Sequence, residues 1–129
     1  MPELLHREKL AGVHPDLVRV ILAAADAAPW PLQIIEGVRT VERQRELMAQ
    51  GASKTMNSRH IPGVDGLSKA VDVAPAPDGH ASWAWPLYDG LSPVIKAAAK
   101  KLNVPVEWGG DWKSFRDGPH WQLPYAKFP

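Results

Sequence analysis

Apolar residues follow helical spacing in three stretches of the chain. Residues 15–28 and residues 41–50 each place apolar side chains along one face, which predicts two amphipathic helices. A third helix is predicted within residues 87–102, where the same spacing recurs. Pro93 lies inside this last stretch. The helix is therefore either kinked there or begins afresh with Ser92 as its cap, because proline suits only a first turn.

Four shorter stretches favour β-strands: residues 32–38, 70–74, 104–108 and 120–123. In the second of them the alternation puts Asp72 on the sheet face opposite Val71 and Val73. Residues 52–69 show no period and are rich in Ser, Gly, Pro and Asn, which predicts a long loop of the kind that often carries function. Mixed helices and short strands without regular alternation predict an α+β fold, a small antiparallel sheet packed with about three helices.

Length and composition narrow the possible functions. A chain of 129 residues is long enough for one domain and too short for two ordinary ones. The 15 basic residues are balanced by 14 acidic ones without any long run of like charge, so nucleic acid is not expected as a partner. There is no cysteine, so any bound metal must be held by histidine and carboxylate.

Two histidines and two carboxylates supply what a catalytic zinc site requires. Such a site holds the ion with three protein ligands, and a nearby carboxylate takes the proton of the bound water. His60, Asp72 and His120 are the candidate ligands, and Asp117 is the candidate base. Gly118 and Pro119 prevent a helix between Asp117 and His120. A four-residue turn brings its ends within about 7 Å, so both side chains can address one ion.

Each of these residues also has an ordinary structural interpretation. His60 alone would be a hydrogen-bonded loop histidine, and Asp72 alone a buried strand carboxylate. Residues 117–120 alone would be a surface turn with aspartate at its preferred first position. Their combination favours the metal site, with His80 as a minor alternative ligand.

Three further residues are candidates for contact with a substrate. Arg39, at a strand-to-helix turn, can direct its guanidinium at an oxyanion or a substrate carboxylate, or can instead pair with Glu36 or Glu42. Ser58 can donate a hydrogen bond inside the site or cap the loop. Trp108, Trp112 and Trp121 could wall a cleft. Aromatic residues are at least as often part of a core, so only Trp121, next to the last histidine, is kept as the candidate for a cleft wall.

Three runs of residues in consistent order form a more specific pattern: Gly37-Val38-Arg39-Thr40 with Gln44 and Gly51, Ser58-Arg59-His60 … Gly66 … Lys69-Ala70-Val71-Asp72-Val73-Ala74-Pro75, and Glu107-Trp108-Gly109-Gly110-Asp111-Trp112 … Phe115 … Asp117-Gly118-Pro119-His120-Trp121-Gln122. This pattern resembles the LAS-type zinc peptidases, which comprise D-Ala-D-Ala carboxypeptidases and dipeptidases and the phage L-alanyl-D-glutamate endolysins. The last run looks like the endolysin branch. The resemblance implies that His60, Asp72 and His120 bind Zn²⁺, that Asp117 is the general base and that Arg39 orients the substrate.

One spacing departs from the family pattern. The family usually has roughly six residues between the first histidine and the aspartate, whereas 11 residues separate His60 from Asp72. An insertion at residues 61–67 that bulges from the loop explains the difference and keeps Asp72 as a ligand. The alternative is that Asp65 takes its place.

The resemblance implies a peptidoglycan endopeptidase that cuts the stem peptide between L-Ala and D-Glu, as a phage or prophage endolysin in host lysis. It implies a monomer with one catalytic domain, residues 1–129, and no separate cell-wall-binding domain. The charged N-terminus is unlike a signal peptide, and no stretch approaches the roughly 20 apolar residues of a membrane span. We therefore expect synthesis in the host cytoplasm without stable membrane insertion, and action on the periplasmic cell wall after a separate membrane-permeabilising protein allows release.

Two alternatives keep part of this interpretation. The first is a zinc D,D-carboxypeptidase, which would use the same residues on a different bond. The second is a metal-bound cell-wall binding module without turnover, as a structural part of a phage particle. Pure binding would not require a carboxylate at the position of Asp117, which favours the enzyme.

Overall fold

The computed structural model describes residues 3–53 and 58–129. Its helices are α1 (Pro15–Ala27), α2 (Val41–Ala49) and α3 (Trp85–Leu102). Its strands are β1 (Leu4–Leu5), β2 (Leu32–Glu36), β3 (Ala70–Pro75), β4 (Glu107–Trp108) and β5 (His120–Gln122). Short 3-10 helices cover Arg7–Leu10 and Gly109–Asp111.

The strands form one sheet in the order β1-β2-β3-β5-β4. All neighbours pair antiparallel except β1 and β2, which are parallel. The predicted α+β fold with a small antiparallel sheet is thus confirmed, with a parallel edge strand added. That edge strand is two residues long, too short to show an alternating pattern in the sequence.

The two faces of the sheet have different environments. Val71 pairs with Trp121, which pairs in turn with Trp108, and these three side chains join the buried faces of α1 and α3 in one hydrophobic core. Asp72 pairs with His120, one residue further along β3. Because successive side chains of a strand point to opposite faces, this polar pair lies on the face away from the core.

Helix α3 runs through Pro93, which excludes one of the two alternatives, a fresh start at Ser92. The helix begins instead at Trp85, with Pro86 in its first turn. Its buried stripe of apolar side chains continues on both sides of Pro93, and the packing of this face offsets the backbone hydrogen bond that a proline cannot make.

Three strands, β2, β4 and β5, are shorter than predicted, and one loop is as predicted where it is described. The stretch 104–108 pairs only over Glu107–Trp108, because Pro105 lacks the N–H that a strand interior needs. In the loop, residues 52–53 and 58–69 form turns, and residues 54–57 lie outside the described part. No helix within the described ranges is long and apolar enough to cross a lipid bilayer.

Candidate active site

Three metal-binding groups converge on the polar face of the sheet. His60 Nε2 lies 3.1 Å from Asp72 Oδ1, and His120 Nδ1 lies 3.2 Å from the same oxygen. All three donor atoms lie within 4.8 Å of one another. Zinc bonds of about 2.0–2.2 Å in a tetrahedral centre place two ligand atoms roughly 3.3 Å apart. The donor set and its spacing therefore fit a zinc ion.

Each ligand comes from a different segment. Asp72 lies within β3, and His120 is the first residue of β5, directly across the ladder. His60 lies in the loop before β3, and its Nδ1 is 2.8 Å from the carbonyl oxygen of Gly37. A carbonyl can only accept, so Nδ1 carries a proton and Nε2 is the ring nitrogen left to bind a metal. Glycine is needed at position 37 for a separate reason, since a Cβ there would overlap the carbonyl of Lys9.

The charges within the cluster support one another. Burial alone would raise the pKa of the Asp72 carboxyl, but hydrogen bonds from His120 and His60, together with their charges, hold that pKa well below its usual range. Burial likewise opposes the charge on His120. The hydrogen bond and charge of Asp72 outweigh burial and raise the pKa of His120. A cation is therefore favoured beside Asp72.

Asp117 stands next to the cluster on a tight turn. The amide of His120 donates to the carbonyl of Asp117 at 3.3 Å, and the indole of Trp108 donates to the carbonyl of Gly118 at 2.7 Å. The Asp117 side chain lines the same cleft as the three ligands. Burial and the negative charge of Asp72 raise the pKa of the Asp117 carboxyl, as a proton-accepting group near neutrality requires.

Arg39 lines the cleft and is fixed by three partners. Its Nε and Nη2 donate to the two carboxylate oxygens of Glu36 at 2.8 and 2.6 Å. Its Nη1 donates to Gln44 Oε1 at 2.8 Å and to Ser58 Oγ at 3.4 Å. Burial opposes the charge, yet the hydrogen bond and charge of Glu36, with smaller effects of Asp72 and Asp117, raise the pKa of Arg39. The ion pair with Glu36 and a place in the cleft thus coexist.

The cleft has a volume of about 490 Å³ and two aromatic walls. Trp112 stands beside the metal-binding cluster, its ring centroid 5.2 Å from that of His120. Tyr125 lies against Arg59, whose guanidinium carbon is 3.9 Å from the ring centroid. Both rings are more than a third exposed, so each has surface that a bound molecule can contact.

The sequence matches a family model over nearly its whole length. The model describes the phage L-alanyl-D-glutamate peptidases, and the match covers residues 5–122. The chain belongs to the phage L-alanyl-D-glutamate peptidase family. The resemblance drawn from the motifs is thereby confirmed, and the enzyme is a peptidase of this family.

Individual members of the family show how far the similarity extends. The L-alanyl-D-glutamate peptidase of Escherichia phage T5 is 29% identical over 114 residues, which cover 85% of this chain and 80% of the phage protein. The L-alanyl-D-glutamate peptidase of Listeria phage A118 is 33% identical over 125 residues, but this chain spans only 42% of its length. The crystal structure of the Serratia marcescens L-Ala D-Glu endopeptidase ChiX superposes with a TM-score of 0.86 at 43% identity, covering 95% of this chain and 88% of ChiX.

The structure of this family member brings the three predicted ligands together. The alternative carboxylate, in the inserted turn, lies outside their cluster. Residues 61–67 form a turn of their own, closed by a hydrogen bond from the Gly63 amide to the Leu67 carbonyl at 3.1 Å. Asp65 belongs to that turn and pairs with Lys69 at 2.7 Å. Asp72, and not Asp65, therefore supplies the carboxylate oxygen of the cluster.

The prediction that Trp121 contacts substrate was wrong. Trp121 is only 1% exposed, and its ring stacks on Trp108 in the core. The physical reason is strand parity, because a residue adjacent to a ligand on a strand must point to the opposite face. Trp112 lines the cleft in its place. Ser58 also lines the cleft, where its hydroxyl oxygen accepts hydrogen bonds from the His60 amide at 3.2 Å and from Arg39.

Sequence reasoning missed two residues that support His120. Gln122 Oε1 lies 2.8 Å from His120 Nε2, and Gln122 Nε2 lies 2.9 Å from Glu107 Oε1. The same parity rule could have found Gln122, which follows the ligand by two positions and so shares its face. Glu107 is visible only from the pairing of β4 with β5.

Proposed function

We propose that the chain is a zinc-dependent endopeptidase that hydrolyses the bond between L-Ala and D-Glu in peptidoglycan stem peptides, as a phage or prophage endolysin. The observation that carries this proposal is the convergence of His60, Asp72 and His120 in a cleft that also contains Asp117. The names of the relatives supply the bond, since the T5 and A118 proteins and ChiX all carry that specificity in their names.

The three ligands hold the ion with lone pairs that are already directed at one point. His60 does so because its other ring nitrogen donates to a backbone carbonyl, and Asp72 because its pKa keeps it ionised. When bound, zinc supplies a Lewis acid and lowers the pKa of a coordinated water toward about 7. His60, Asp72 and His120 would hold the ion and would leave it accessible to water from the cleft.

Asp117 is the proposed general base. Its carboxylate accepts the proton of the attacking water and hands it to the leaving amine of the D-Glu residue. The turn between Asp117 and His120 fixes the distance between base and metal site, because it is closed by a backbone hydrogen bond and held by the indole of Trp108. Burial and the charge of Asp72 raise the pKa of this carboxyl in the metal-free protein, and a bound divalent cation would offset part of that effect and favour its ionised form.

The remaining cleft residues position the peptide. Arg39 offers a cation to a carboxylate of the substrate or to the developing oxyanion, and its bidentate pair with Glu36 keeps the guanidinium in place. Trp112 and Tyr125 bound the peptide on two sides, and Ser58 holds Arg39 and the loop of His60. The proposal includes action as a monomer on the cell wall, with release dependent on a separate membrane-permeabilising protein.

Two variants separate metal binding from turnover. Replacing the ligand in His60→Ala removes one of three donors, and we expect zinc content after dialysis to fall to a small fraction of the wild-type value. Asp117→Asn keeps all three donors, and we expect it to bind zinc fully while peptidoglycan turnover falls on the order of 10²- to 10⁴-fold. Zinc content and release of free amines from cell walls measure the two effects.

The matched control is Asp111→Asn, which removes an exposed carboxylate paired with Lys96 outside the cleft. It should leave zinc content and turnover unchanged. Wild-type turnover in Asp117→Asn would remove Asp117 from the role of base. Full zinc content in His60→Ala would remove His60 from the ligand set.

A further inference from the structure

We propose that Glu107 and Gln122 are positioning residues for His120, which fix its ring tautomer so that Nδ1 is the nitrogen that binds the metal. The inference rests on the proposed zinc site, and it assigns a role to two residues outside the ligand set. Neither residue belongs to the group of three that could hold the metal. They act through hydrogen bonds alone.

The sheet places the three side chains in a row. His120 and Gln122 are two residues apart on β5 and therefore share the face that carries the metal-binding cluster. Glu107 on β4 stands directly opposite Gln122 in the ladder. The contacts follow this order, with Glu107 Oε1 2.9 Å from Gln122 Nε2 and Gln122 Oε1 2.8 Å from His120 Nε2.

The carboxylate at the outer end of this row determines which atoms of the row donate hydrogen bonds and which accept them. An ionised carboxylate can only accept, so Glu107 requires the amide nitrogen of Gln122 to face it. The amide oxygen of Gln122 then faces His120, and this oxygen can also only accept. His120 Nε2 must therefore carry a proton. In the neutral ring this leaves the lone pair on Nδ1, the atom 3.2 Å from Asp72 Oδ1.

Loss of the outer carboxylate would remove that constraint. The Gln122 amide could then rotate by half a turn and donate to His120 Nε2, which favours the tautomer with a proton on Nδ1. That tautomer has no lone pair for the metal. His60 does not share this vulnerability, because a backbone carbonyl, that of Gly37, holds its other nitrogen. His120 is thus the ligand whose geometry depends on side chains.

The zinc affinity of the folded protein tests the role of this row of side chains independently of peptidase activity. Competition between the zinc-loaded protein and a chelating dye gives an apparent Kd at fixed pH. We expect Gln122→Met, which keeps the length but removes the acceptor, to weaken zinc binding by about 10- to 100-fold. Glu107→Gln should weaken it less. Adding Glu107→Gln to Gln122→Met should cause no further loss, because Glu107 acts only through Gln122.

A swapped pair provides the rescue. Gln122→Glu combined with Glu107→Gln exchanges the two side chains. His120 Nε2 then still faces an acceptor oxygen, now that of a carboxylate in place of an amide. We expect the swapped pair to bind zinc within about threefold of the wild type. Long-range proton–nitrogen NMR correlations of the zinc-loaded protein should show a proton on His120 Nε2 in the wild type and in the swapped pair. The control is Glu46→Gln, an exposed carboxylate paired with Arg43 on α2, which should change nothing.

Three results would overturn the inference. They are wild-type zinc affinity in Gln122→Met, additive losses in the double variant, and a proton on Nδ1 of His120 in the zinc-loaded wild type. The swapped pair and Glu107→Gln keep the test decisive even if Gln122→Met does not fold. Failure of the wild type to bind zinc would instead contradict the proposed function, and the inference with it.

Discussion

Asp72 is the residue that connects the two histidines of the candidate site. One of its carboxylate oxygens faces both imidazoles, and the side chain is nearly buried. A buried carboxylate is costly unless it is paired, so in the metal-free protein the imidazole protons that hydrogen-bond to Asp72 compensate its charge. A bound divalent cation would replace those protons. Metal binding and proton release are therefore coupled at this residue.

We expect His120 in the metal-free protein to titrate above its ordinary pKa of 6.5, because Asp72 hydrogen bonds to its charged form. Proton NMR titration of the apoprotein measures this directly. Asp72→Asn removes the negative charge and leaves a neutral amide oxygen, which is a weaker partner for a charged imidazole, so burial should dominate and the pKa of His120 should fall. Titration of wild-type His120 at or below 6.5 would contradict the electrostatic description of the site.

The same shift has a consequence for stability. A folded-state pKa above the unfolded value contributes stability that is fully present below pH 6.5 and is lost as pH rises through the folded pKa. The difference in unfolding free energy between metal-free wild type and Asp72→Asn should therefore shrink as pH rises above 6.5. Denaturant titrations at several pH values measure it. A difference that grows with pH would contradict the pairing.

Individual residues were predictable where their chemistry is specific. Two histidines and an aspartate with the right companions indicated a metal site, and the turn at residues 117–120 indicated which carboxylate stands beside it. Trp121 was misplaced because adjacency in sequence was taken as adjacency in space. Gln122 escaped notice because an amide carries no chemical signal until its neighbours on the sheet are known.

At the scale of elements, the turn that carries Asp117 depends on the close approach of Gly109. The Asp117 amide donates to the Gly109 carbonyl at 3.1 Å. A Cβ on Gly109 would overlap the Asp117 carbonyl oxygen and lie 3.0 Å from the Cβ of Asp117 and 3.1 Å from that of His120. Glycine at this position thus lets the 3-10 helix Gly109–Asp111 pack directly against Asp117 and His120.

Gly109→Ala should displace the turn and impair both stability and function. Overpacking of this kind costs about 1–3 kcal/mol of unfolding free energy. We expect peptidoglycan turnover to fall more than stability explains, since Asp117 and His120 both move. Gly90→Ala is the matched control, because a Cβ there would meet Trp30 at an ordinary 3.5 Å within α3, where alanine favours the helix. Unchanged stability and turnover in Gly109→Ala would contradict this account of the turn.

Elements were predictable to the extent that their own apolar pattern decides them. Helix α1 and strand β3 follow their spacing closely, because each has one face in the core. Helix α3 passes through Pro93 because the packing of its apolar face outweighs the hydrogen bond that proline cannot make. The sequence shows the proline but not this packing. The turn at residues 61–67 was predicted as an insertion. The ion pair with Lys69 that holds this turn could not be predicted, because it depends on the folded arrangement of the chain.

At the scale of the whole molecule, the two faces of one small sheet have different roles. Its inner face forms the core with α1 and α3, and its outer face carries Asp72, His120 and Gln122. The near-neutral balance of 15 basic and 14 acidic residues fits a substrate that is bound by a few hydrogen bonds and local charges. It does not suggest long-range electrostatic attraction by the whole surface. Family membership was recognisable from motif order. The bond that is cut is not encoded in any single residue.

The most direct test of the central claim is the mass spectrum of peptidoglycan digested by the zinc-loaded protein. We predict released stem peptides that begin with D-Glu, glycan strands that keep L-Ala, loss of both with a chelator, and recovery on addition of zinc. Release of terminal D-Ala alone would make the enzyme a carboxypeptidase. Binding of zinc and cell walls without any new free amine would contradict an enzymatic role altogether.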